Sequence, residues 1–179
     1  MDNISVILDA AAALLEAHGP EALTARAVCD ASGIKAPTLY HYFGGKQGLE
    51  RALIERGMAE FMQKKRMPPP SADPLEQLKS GWDIAVEFAL KRPALWRLHA
   101  QYAMTHPEVF ADAYALMQSR IQRLVDLGIF NGPVDVSARS FWAACQGVLA
   151  LILQGHSNQD VEFTSEALFD AVTARLRRL

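Results

Sequence analysis

Apolar residues return every three or four positions along most of the chain, the period of a helix with one buried face, and no stretch alternates with the period of a strand. Ile4, Leu8, Ala11 and Leu15 form the first such stripe, which Gly19-Pro20 closes. A second helix is predicted from Thr24, whose hydroxyl can accept a free backbone N–H, with Val28 and Ala31 on its apolar face and Ser32-Gly33 as its stop. Pro37 fixes its own φ and biases Ala36 away from the α region. Ala36 is therefore expected as the N-cap, and Pro37 as the first residue of a third helix through Phe43. Leu39 and Phe43, four apart, turn inward, leaving Pro37, Thr38 and His41 on a small polar face with Lys35 just ahead.

Lys46 to about Lys65 continues as a longer amphipathic helix with Leu49, Leu53, Ile54, Met58 and Phe61 inward. Pro68-Pro69-Pro70, followed by Ser71-Ala72-Asp73-Pro74, has to interrupt it, because proline lacks the amide donor and clashes with the preceding turn. The domain boundary is expected there, giving residues 1–66, with the linking helix from about 46, and residues 67–179. Five further helices are predicted at about 74–91, 93–104, 107–127, 134–154 and 165–178, with Pro93 and Pro107 at helix starts and Gly155 to Asp160 separating the last two. The expected fold is all-α, about nine helices.

Two short helices flanking a tight turn, the second showing a polar face, are what a helix-turn-helix needs to place a recognition helix in the major groove of DNA. The stretch PTLYHYFGGKQGL, with Thr24 to Ser32 before it and Gly33-Ile34-Lys35 as the turn, resembles the tetracycline-repressor (TetR) family of bacterial regulators. The resemblance covers about the first third of the chain, with a weaker similarity in Trp142 to Gly147. It implies an N-terminal three-helix DNA-binding domain followed by a C-terminal helical ligand-binding and dimerisation domain. By motif position, Thr24 and Arg26 would touch phosphate or the groove edge. Lys35, Ala36, Pro37, Thr38 and His41 would face bases or backbone, and Tyr40, Tyr42 and Lys46 would grip phosphates. The chain departs from the family pattern where Lys35 and Gly45 stand in place of common serines, and where Tyr42 replaces a common histidine.

Charge qualifies this picture. The net charge of −2 is not that of a strongly basic nucleic-acid binder, yet residues 1–66 balance eight acids with eight bases, and Arg26, Lys35 and Lys46 all fall in the expected contact region. Few cations per subunit imply a shallow salt dependence and a need for two copies on DNA. The longest apolar run, Val148 to Leu153, falls short of the roughly 20 residues of a membrane span, so a soluble, cytoplasmic protein without a membrane partner is expected. Cys29 and Cys145 are far apart, consistent with a reducing compartment and buried structural thiols. No phosphate loop, nucleophile elbow or HExxH run is present, so no enzyme and no cofactor is expected. His99, His106 and Cys145 lack the close paired spacing of a zinc site, so no metal is expected either.

The helix from Val134 to Gln154 is apolar around most of its circumference, which implies burial on two sides. A homodimer through the last two helices is expected, built from Phe141, Trp142, Cys145, Leu149, Ile152, Leu168, Val172 and Leu176. An effector pocket for an apolar or aromatic small molecule is expected from Trp82, Phe88, Trp96, His99, Tyr102, Phe110, Tyr114, Trp142 and Gln146, with His99 and Gln146 as polar anchors. Two recognition helices on a two-fold axis would require a roughly palindromic DNA operator. The competing expectation is an all-helical small-molecule-binding protein or enzyme whose helix-turn-helix only packs. Outward Thr38, His41 and Lys46 favour DNA.

Overall fold

The computed structural model describes residues 2–67 and 72–177, and among these it is helical with no strand. The helices are α1 (Asn3–His18), α2 (Ala25–Ser32), α3 (Ala36–Phe43), α4 (Lys46–Arg66), α5 (Pro74–Lys91), α6 (Pro93–Ala103), α7 (Ala111–Asp126), α8 (Val134–Leu153) and α9 (Asn158–Leu176). Two 3-10 turns lie at Pro20–Ala22 and Pro107–Phe110. The interruption expected at Pro68-Pro69-Pro70 and Ser71 lies outside the described residues.

Most boundaries follow the pattern of the sequence, and some details differ. α9 starts at Asn158 rather than 165, because Ser157 caps it: the hydroxyl accepts the Asp160 N–H at 3.2 Å and donates to the Asp160 carboxylate at 2.6 Å. The segment from Pro107 opens as a 3-10 turn and becomes α-helical only at Ala111. In α1 the inward stripe is Ile7, Leu8, Ala11 and Leu15, while Ile4 is exposed. In α2 only Val28 is buried and Ala31 is exposed.

The chain forms two compact units, Met1–Glu60 with Arg92–His106, and Phe61–Lys91 with Pro107–Leu179. These differ from a single cut after residue 66, since α6 joins the first unit and the last turn of α4 joins the second. In the first unit, Glu16 of α1 explains the addition. Its carboxylate accepts the backbone N–H groups of Ala94 at 3.1 Å and Leu95 at 2.9 Å, satisfying two orphan donors at the positive end of α6. Arg56 of α4 ties α1 to the same unit, donating to the Asp9 carboxylate at 2.7 Å and the Leu8 carbonyl at 2.9 Å.

The second unit packs α5, α7, α8 and α9 around Trp82, Phe141 and Phe169, whose ring centroids lie 5.0 to 5.9 Å apart in edge-on contacts. The Trp82 indole N–H donates to the Ser165 hydroxyl at 2.7 Å, so the buried ring leaves no polar atom unsatisfied.

Candidate nucleic-acid interface

Helices of eight residues are too short to stand alone in water, so α2 and α3 depend on what they bury. Val28 and Leu39 are fully buried in the first unit, each contributing about 1.5–3 kcal/mol of burial. Local chemistry sets the turn between them. Thr24 caps α2 by accepting the Ala27 N–H at 3.1 Å, and its hydroxyl proton stays available to a phosphate. Gly33 ends α2 at φ +69°, a left-handed conformation that favours glycine. The Ser32 hydroxyl then accepts the Ile34 N–H at 3.3 Å.

Lys35, not Ala36, is the residue before α3, with extended backbone and no side-chain cap. Ala36 is the first helical residue and Pro37 the second. The shift is tolerated because the second amide of a helix also lacks an intrahelical acceptor, so proline forfeits no bond there.

Leu39 points into the core, and the rest of α3 is turned out. Lys35, Ala36, Pro37 and His41 are exposed, Thr38 and Phe43 are half-buried, and Tyr40 and Tyr42 are 54% and 41% exposed. Their hydroxyls therefore lie at the surface while the helix is held by its inner side. Arg26 and Lys46 each make one long ion pair, at 3.8 Å to Asp30 and to Glu50. Exposed pairs of this kind contribute about 0–1 kcal/mol, so both cations can be given up to phosphate at small cost. Cations at the edges and small polar groups at the helix tip make a surface that can sit on a phosphate backbone and reach base edges.

The junction from α3 to α4 is tightly built. Gly44 is left-handed at φ +69° and Gly45 stands at φ +134°, so glycine at 45 meets a backbone requirement that a serine would strain against. Gly48, in the first turn of α4, lies against the Phe43 carbonyl. The N-terminal part of α4, with the end of α6, lines a groove of about 890 Å3 that includes Lys46, Arg51, Gln101, Tyr102 and His106.

The nine residues expected to line one effector pocket do not share one unit. Trp96, His99 and Tyr102 lie in the first and the other six in the second, because residues 92–106 pack with α1 and α4. His99 is fully buried, and its Nε2 lies 3.0 Å from the Ile54 carbonyl of α4. A carbonyl only accepts, so Nε2 carries the proton and donates. Burial pushes the His99 pKa down to about 4, so the ring is neutral and serves as a clamp between α4 and α6. Tyr102 stacks on His106 at 4.1 Å.

In the second unit, Trp82 is core, and Phe88 packs on Phe61 at 5.2 Å. Phe110 and Tyr114 gather on the half-buried Trp142 at 6.2 and 5.4 Å, with Gln146 half-buried one turn further along α8.

Of the residues expected at a dimer interface, Phe141, Cys145, Leu149, Ile152 and Leu176 are buried within their own chain and are not free to meet a second copy. Trp142, Leu168 and Val172 are half-buried. Phe141, Cys145, Val148, Leu149 and Ile152 of α8 fill its own unit, as do the small Ser137 and Ala138, and part of the remaining surface is made of small residues. Ser140, Ala143 and Gly147 are exposed on α8, as are Phe163, Ala167, Ala171 and Ala174 on α9, with Phe163 at 76%. By length and composition alone α8 is long and apolar enough to cross a bilayer, a test that the core helix of a soluble protein also passes.

The sequence reading passed over Lys65, which is 7% exposed. It stands four residues after Phe61 on the inward stripe of α4, and continuing that stripe would have found it.

Residues 7–53 match the model of bacterial regulatory proteins of the tetR family. The chain is 44% identical over 57 residues to the transcriptional repressor ComR of Escherichia coli, covering 32% of this chain and 27% of that protein. It is 33% identical over 134 residues to the transcriptional repressor KstR2 of Mycobacterium tuberculosis, covering 72% of this chain and 65% of that protein. These alignments span less than two thirds of either relative. A TetR transcription regulator from Haloarcula marismortui has the same fold, with a TM-score of 0.81 at 18% identity, covering 98% of both chains.

Proposed function

We propose that the chain is a member of the tetR family of bacterial regulatory proteins, acting as a cytoplasmic, sequence-specific transcriptional repressor that a small molecule releases from DNA. The observation that carries this reading is α3 itself. Only Leu39 is fully buried, while Lys35, Ala36, Pro37, Tyr40, His41 and Tyr42 are turned to solvent. A helix that merely packed would spend apolar residues on that face.

Thr24, Arg26, Tyr40, Tyr42 and Lys46 position the head on phosphates, and Lys35, Ala36, Pro37, Thr38 and His41 approach the bases. Selection of bound fragments from a random DNA library tests the reading. An enriched inverted repeat is expected, and recovery of no preferred sequence refutes it. Lys46→Ala should weaken selected and random DNA alike and lower the salt slope by about one. Unchanged binding in a gel-shift titration removes Lys46 from the phosphate contacts.

The inverted repeat requires two copies, and the exposed small-residue face of α8 with α9 is where they meet. Ala143, Gly147, Ala167, Ala171 and Ala174 let helices approach closely, and Phe163 offers a large apolar contact. Ala143→Glu should therefore yield monomers in sedimentation. A profile identical to the parent would place the interface elsewhere.

Effector binding belongs to the second unit, where Trp142, Phe110, Tyr114 and Gln146 gather, and it works by changing the separation of the two heads. A coupling of about 1–3 kcal/mol weakens operator binding roughly five- to 150-fold.

A further inference from the structure

Among the described residues, Lys65 and Arg120 are cations of the second unit that are buried or half-buried and have no acidic partner. Lys65 is buried at the end of α4, its ammonium 4.8 Å from the centre of the Phe61 ring. Arg120 of α7 is half-buried and donates only to backbone carbonyls, that of Lys65 at 2.7 Å and that of Gln77 at 3.0 Å. A Cβ at Gly81 would lie 2.4 Å from the Arg120 guanidinium, so the absence of a side chain at that point makes room for it.

No carboxylate among the described residues lies within ion-pair distance of either cation. The nearby acids are engaged elsewhere, Asp83 with Lys79 and Asp112 with Arg66. Cys145 acts on Lys65 electrostatically, but burial pushes its thiol up to about 11, so it supplies no thiolate. Burial, with Arg120 adding to it, pushes the Lys65 pKa down to about 8, which leaves the amine mostly protonated at neutral pH. A largely buried lysine beside a second cation, with no carboxylate among the described residues to pair with it, costs free energy that an incoming anion recovers.

Resting on the reading of the second unit as the effector domain, we propose that the effector is an anion, a carboxylate on an apolar or aromatic body, and that the Lys65 ammonium is the counter-charge that binds it. Arg120 adds to the positive potential, and Phe61 packed on Phe88 keeps the surroundings of the charged end apolar.

The test needs no DNA. Straight-chain carboxylic acids of six to twelve carbons, together with benzoate and 4-phenylbutanoate, are compared with their primary amides for binding to the full-length protein by thermal shift and calorimetry. At least one acid should bind at least tenfold more tightly than its amide. Lys65→Met should weaken that acid tenfold or more and should raise the melting temperature of the free protein, and Lys65→Arg should restore acid binding. Equal binding of acid and amide, no acid that binds, or undiminished acid binding by a folded Lys65→Met each overturns the proposal. Failure of the parent to select a DNA sequence would instead overturn the regulatory reading and leave acid binding to be judged separately.

Discussion

Gly48→Ala should abolish specific DNA binding and lower the melting temperature by about 6–12 °C, the consequence of roughly 3 kcal/mol of overpacking in a chain of this size. A Cβ at Gly48 would lie 1.8 Å from the Phe43 carbonyl oxygen and 2.9 Å from its carbon. A side chain in the way can change rotamer, but a backbone carbonyl moves only with its helix. Phe43 is the last residue of α3, so the methyl group must displace the recognition helix from α4 or unwind the first turn of α4. Either movement misplaces Tyr40, Tyr42 and Lys46 by more than a hydrogen bond tolerates. Gln47→Ala, one residue earlier and exposed, is the control for a change of helix propensity alone. Thermal melts and gel shifts on the two variants separate the effects. Parental stability and DNA affinity in Gly48→Ala would refute the close contact.

That contact was not legible in the sequence, although the helix beside it was. α3 is legible from short-range rules, with Pro37 near a helix start and Leu39 inward, and local chemistry, including the left-handed Gly44 that the structure adds, is what fixes an eight-residue helix. The start of α9 is equally local: Ser157, whose hydroxyl accepts the Asp160 N–H, lies inside the Gly155 to Asp160 stretch that composition marks as a break. Long-range partnership was harder. Nothing in the spacing of Pro93 to Ala103 says that Glu16, more than seventy residues earlier, accepts its first N–H groups. The expected effector pocket therefore mixed residues from two units. Periodicity also recognised that α8 is apolar nearly all round without telling its two sides apart. Phe141, Val148, Leu149 and Ile152 serve the chain's own core, while Ala143 and Gly147 face out.

His99 makes the stability of the first unit depend on pH, with a sign that its burial decides. Its folded pKa is about 4, against an ordinary 6.5, because the ring is fully enclosed and charging it would bury an ion. Between those values the unfolded chain binds a proton that the folded chain refuses. The stability due to the neutral ring is complete above about pH 6.5 and is lost as the pH falls towards 4, a loss of about 3 kcal/mol. Below that the folded form protonates as well, and this group contributes no further change. His99→Gln keeps a donor that can reach the Ile54 carbonyl and removes the titration. It should be less stable than the parent at pH 7, where the imidazole fits against Gly57, and its urea midpoint should fall less steeply down to pH 4.5. Carboxylates titrate in the same window, so the difference between the two proteins carries the result, not either slope alone. Parallel curves would show that the ring is not held neutral. Divergent ones would identify acid as an agent that loosens α6 from α4.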